Sequence, residues 1–66
     1  MINYNPLWKL LIDKGISKSE FRNLCKISKQ TLTEMNKNNN ISLNTIDRIC
    51  NILDCNIADV IEHIKG

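Results

Sequence analysis

The chain has 66 residues, 42 % of them hydrophobic and 24 % charged, with a formal net charge of +2. A chain of this length is expected to form one domain over residues 1–66, burying only about 60 % of the surface that its unfolded form exposes. That leaves little room for an enclosed substrate pocket with a catalytic shell, and the longest apolar run, Leu10-Leu11-Ile12, is far short of a membrane span.

Met1–Tyr4 carries at most the signal of an extended arm. Met1–Asn5 lacks the basic start and the following apolar run of a signal peptide, so the expected location is the cytoplasm. Asn5-Pro6 reads as a helix start, with Asn as cap and Pro in the first turn. Leu7, Trp8, Leu11 and Ile12 then recur at helical spacing, and Gly15 closes a first helix over about 6–14.

Ser17-Lys18-Ser19-Glu20 has the form of a capping box. It opens a second helix over 18–25 with Phe21, Leu24 and Cys25 on one face. Ser28 caps a third helix over 29–36, whose inward pair is Leu32 and Met35. Only Lys26-Ile27 separates these two helices, and so short a link forces a steep crossing.

Three asparagines, Asn38-Asn39-Asn40, form the polar loop that follows. Ser42 caps a fourth helix over 43–54 with Ile46, Ile49, Cys50 and Leu53 at i, i+3, i+4 and i+7. Asn56 and Asp59 open a fifth over 57–64, with Ile57, Val60, Ile61 and Ile64 repeating the pattern. No stretch alternates long enough to argue a strand, so the expected fold class is all-α with five helices.

Charge is unevenly spread. Residues 1–40 hold seven basic and three acidic side chains, whereas residues 41–66 hold two basic and four acidic ones. This asymmetry points to an oriented, negatively charged partner. Cys25, Cys50 and Cys55 are expected to be free thiols in a reducing cytosol. Their spacing, with His63, matches no zinc pattern, and Cys25 and Cys50 lie on apolar stripes, so no metal or cofactor is expected. His63 reads as a favourable cation at the end of the last helix. With one His and no nucleophile–base–orienter set, no enzyme is expected.

Phe21, Cys25, Ile27, Leu32 and Met35 are the inward positions of a two-helix motif over residues 18–37, and all five are apolar. Their broken period suits two short helices that share a core at a steep angle, and a single long helix would not skip between Cys25 and Leu32. ISKSEFRNLCKISKQTLTEMNKN (16–38) and ISLNTIDRICNILDCNIADVIEHI (41–64) resemble the short Cro/repressor-type helix-turn-helix regulators of bacteria, phages and plasmids. The chain is also similar to the small regulators found with resistance gene clusters. The resemblance covers Leu7 to Ile64. It implies a lambda-repressor-like, five-helix fold with the helix-turn-helix as helices 2 and 3. It also implies sequence-specific binding of double-stranded DNA by a transcriptional regulator, a repressor, with helix 29–36 in the major groove. Two residues depart from the family pattern. Arg22 and Lys26 stand where the family usually has Ala and Gly, and Lys26 in a left-handed conformation should cost about 1 kcal/mol.

On that reading the DNA-binding residues are Lys18, Ser28, Lys29, Gln30, Thr31, Thr33 and Lys37. Gln30 can pair bidentately with adenine and Lys29 can reach guanine acceptors. Thr33 can pack on thymine or bond a phosphate. Lys18, Lys37 and Ser28 suit phosphates. Glu34 is the discordant residue, which would repel phosphates unless it accepts a bond from cytosine or pairs with a neighbouring Lys. Leu7, Trp8, Leu10, Leu11 and Ile12 exceed what one amphipathic helix can hide. A homodimer is therefore expected, covering part of this surface or Ile61 and Ile64. The alternative from another class is a protein-interaction module (antitoxin, anti-repressor or co-regulator) that keeps the fold without reading DNA.

Overall fold

A computed structural model describes residues 1–66. In chain order the elements are β1 (Ile2–Asn3), α1 (Asn5–Lys14), α2 (Lys18–Leu24), α3 (Lys29–Asn36), α4 (Leu43–Leu53), a single 3₁₀ turn (Ile57–Asp59) and β2 (Glu62–His63). The two strands pair antiparallel, Ile2 with His63 and Asn3 with Glu62.

Three of the helix starts follow directly from capping chemistry. Ser17 accepts from the Glu20 amide while the Glu20 carboxylate accepts from the Ser17 amide, closing the capping box. Ser28 and Ser42 accept from the amides of Thr31 and Thr45, both at 3.1 Å. At α1 the expected cap is displaced. Asn5 is the first helical residue, and the oxygen that accepts its amide belongs to Asn3. Gly15 ends α1 at φ 68, and Asp54 ends α4 at φ 52, so α4 stops at Leu53.

The fifth helix over 57–64 is not formed, and the fold is mostly helical rather than all-α. After one 3₁₀ turn the chain extends and pairs with the amino-terminal strand, with the Ile64 amide donating to Met1 O at 2.7 Å. The physical reason lies in the competition between the two states. An eight-residue helix rich in Ile and Val has a costly nucleus and poor propensity. The observed path buries Val60 fully at the end of the turn and then gains ladder bonds to β1. His63 is accordingly an exposed strand residue, not a cation at a helix end.

Tyr4, Leu7, Leu11, Phe21, Cys25, Ile27, Met35, Ile46, Ile49, Leu53 and Val60 form the core. Four of the five inward positions of residues 18–37 are buried in it, and Leu32 packs against its edge, whereas Leu24 is exposed. Trp8 finds its partners within the chain, so α1 does not need a second copy to cover it. Its ring lies edge-on to Phe21 at 6.2 Å and tilted against Tyr4 at 6.5 Å. Leu10 also packs on the core, and only Ile12 of that group stays open, 78 % exposed.

Candidate nucleic-acid interface

The link between α2 and α3 has the conformation that the departures from the family pattern put in question. Lys26 takes φ 53, the left-handed region that favours glycine. The turn is braced instead by the Ile27 amide, which donates to Arg22 O at 2.9 Å, and by a long contact from Arg22 Nη1 to Ile27 O at 3.5 Å. The half-buried Arg22 packs its stem where a small residue would sit and turns its charge back onto the turn.

Along α3 the buried Met35 and half-buried Leu32 face inward. Lys29, Gln30 and Thr33 are exposed on the helix, and Lys37 is exposed at its carboxyl end. The Thr33 hydroxyl donates to Lys29 O at 2.9 Å, which leaves its oxygen free to accept. Lys18 stands apart from the amino end of α3. Its ammonium donates to Asn36 Oδ1 at 2.8 Å and lies 4.2 Å from the centroid of the Trp8 ring, tying the start of α2 to the end of α3. The seven expected residues thus fall into two groups. Ser28, Lys29, Gln30 and Thr31 cluster at the amino end of α3, Lys18 and Lys37 belong to its carboxyl end, and Thr33 sits between.

Glu34 does not pair with a neighbouring Lys. Its Oε2 accepts from Asn39 Nδ2 at 2.7 Å.

An open cleft of about 330 Å³ joins the amino ends of α3 and α4. Its walls include Ser28, Gln30, Thr31 and Glu34 from one side and Asn40, Ser42 and Thr45 from the other. Both helix starts are built alike. Ser28 bonds Thr31 Oγ1, and Ser42 bonds Thr45 Oγ1, each at 2.9 Å. Helix amino ends carry partial positive charge and unpaired amides that suit an anion, while the Glu34 carboxylate on the same wall opposes one. Sequence reasoning missed Thr45 and read Ser42 only as a helix cap, whereas the Asn38–Asn40 loop can offer phosphate donors on sequence grounds. The available signal was the Ser-x-x-Thr spacing, which occurs at 28–31 and again at 42–45.

Comparison with known proteins bears on this arrangement. Residues 6–66 match the family model described as Cro/C1-type HTH DNA-binding domain. No curated protein matches the chain. Among solved structures, the chain is similar to one described as the crystal structure of the transcriptional regulator VanUg, Form II. The two share 42 % identity with a TM-score of 0.94, over 98 % of this chain and 87 % of that one.

Proposed function

The chain belongs to the Cro/C1-type helix-turn-helix DNA-binding domains, and from that premise we propose that it is a transcriptional regulator that reads double-stranded DNA sequence-specifically. It acts as one domain over residues 1–66. Helix α3 enters the major groove, with Lys29 and Gln30 at base edges and Thr33 against thymine or a phosphate. Ser28 and Thr31 meet the sugar-phosphate backbone at the cleft, together with Ser42 and Thr45. Lys18 and Lys37 set the register from the other end of the helix. The expected effect on transcription is repression, exerted by occupying the duplex.

The observation that carries this reading is the exposed polar face of α3 beside a cleft where two helix amino ends meet. Selection of bound duplexes from a random pool tests it. The expected result is a defined half-site whose preference relaxes in the Lys29→Ala, Gln30→Ala variant. Failure to retain any duplex at ~50 mM salt, where nonspecific phosphate binding is strong, would sink the DNA reading in favour of an interaction module.

A second copy is part of the proposal. One eight-residue recognition helix reads too few base pairs to stand out against the competing sites of a genome. Of the two surfaces expected from the sequence, the one available to that copy is not the α1 face but the region that includes Ile61. Leu43 is 74 % exposed between two apolar grooves, one lined by Ile2, Tyr4, Ile41 and Ile61, the other by Cys50, Cys55 and Ile57. Sedimentation at micromolar concentration decides it, since a monomer both free and on DNA removes the dimer.

A further inference from the structure

We propose that Asn39 is a positioning residue for base readout, holding the Glu34 carboxylate as a fixed hydrogen-bond acceptor that selects a base with an exocyclic amino group. The inference rests on the DNA-reading function above and assigns a specificity role to the one side chain that sits badly with it.

Glu34 follows Gln30 by one turn of α3, so the two lie on the same face of the helix, and both line the cleft. A mobile carboxylate there would sample orientations that repel phosphates, and fixing it on binding would cost rotamer freedom. In the structure it already has a partner. Asn39 Nδ2 donates to Oε2 at 2.7 Å, and the Asn39 amide donates to Glu34 O at 2.9 Å. Asn39 is itself anchored, because the Tyr4 hydroxyl donates to Asn39 O at 2.6 Å and Tyr4 is a core residue. Asn39 is thus held through its amide, its carbonyl and its side chain. The rigid element behind it is the β1–β2 clip, which places Tyr4.

What remains of Glu34 for a ligand is Oε1, which has no hydrogen-bond partner in the protein. A carboxylate oxygen accepts and cannot donate. In the major groove, cytosine N4 and adenine N6 present donors, whereas guanine O6 and N7 and thymine O4 present acceptors that a carboxylate repels. A single oriented Oε1 therefore favours an amino-bearing base at one position. The preference expected for one good base contact is about 5- to 150-fold.

The test is selection from a random duplex pool with the full chain and three variants, followed by binding titrations on the selected site and its single-base changes. The full chain is expected to require C or A at one position of the half-site. Glu34→Gln, whose amide can both donate and accept, should relax that position alone. Asn39→Ala should flatten the same position and weaken binding of the preferred base at least about fivefold, leaving the other positions unchanged. Tyr4→Phe keeps the aromatic ring and removes only the hydroxyl, so it should act on that position in the same direction. Circular dichroism confirms that each variant is folded, and Tyr4→Phe carries the test if Asn39→Ala is not. An even loss at all positions would mean that Asn39 merely supports the fold. An unchanged base preference in Asn39→Ala and Tyr4→Phe, alongside a full chain that binds DNA, overturns the inference and leaves the DNA reading standing. A full chain that selects no duplex overturns both.

Discussion

Lys26 holds a left-handed conformation at φ 53, where a side chain is strained and glycine is not. Lys26→Gly should therefore stabilise the protein by about 0.5–1 kcal/mol after the extra entropy of the unfolded glycine is counted. Gains of about 1 kcal/mol raise the thermal midpoint of a domain this small by about 4–8 °C, and calorimetry of the two proteins checks it. The same scale governs the thiols. Burial, with a further contribution from Cys50, pushes the Cys55 thiol up from 9.0 to about 11. Burial also raises Cys25 and Tyr4. A folded pKa above the unfolded one means stability that is complete below pH 9 and lost as the pH climbs toward 11. Thermal midpoints should fall over that window, and Cys55→Ala should flatten part of the decline. At neutral pH Cys25 and Cys55 should resist alkylation in the native state, because the thiolate is the reactive form.

At the scale of elements, the β1–β2 clip decides more than its four residues indicate. Asn3 is buried, and its side chain accepts from the Asn5 amide at 3.0 Å while donating to Glu62 Oε1 at 3.2 Å. It thereby joins the start of α1 to the carboxyl-terminal strand. Asn3→Ala leaves a partly buried amide without its acceptor, a loss of about 1–3 kcal/mol. Urea unfolding should show a lower midpoint, and hydrogen exchange should show the Ile64 amide losing protection along with it. The starts of α2, α3 and α4 were legible in the sequence because a serine cap acts within three residues. The clip was not, since its two strands are separated by almost the whole chain and each is too short to show alternation.

At the scale of the whole molecule, the uneven charge bears on how the protein meets its partner. Each Lys that neutralises a phosphate contributes about one unit to the slope of log affinity against log salt. Lys37 has no structural partner among the side-chain hydrogen bonds, so Lys37→Ala should lower the slope by about one unit with an unchanged thermal midpoint. Lys18 also serves the fold through Asn36 and the Trp8 ring. Its replacement by Ala should lower both the slope and the midpoint. Titrations at several salt concentrations, paired with melting curves, separate the two roles.

The amino-acid sequence by itself determined the features that rest on local chemistry. These are the serine caps, the short link between α2 and α3, the inward set Phe21, Cys25, Ile27 and Met35, and the family. Each is encoded within one or two turns of chain, where periodicity and capping act. Tertiary structure decided what depends on partners far apart along the chain. It turned residues 61–64 from a helix into an extended segment, because pairing with Ile2 and Asn3 outcompetes a short β-branched helix. It gave Trp8 an aromatic partner in Phe21, removing the need for a second copy on α1. It also brought Ser42 and Thr45 to the cleft beside α3, and it set Asn39 between Tyr4 and Glu34. Those juxtapositions are products of packing, and no pattern within a single helix could announce them.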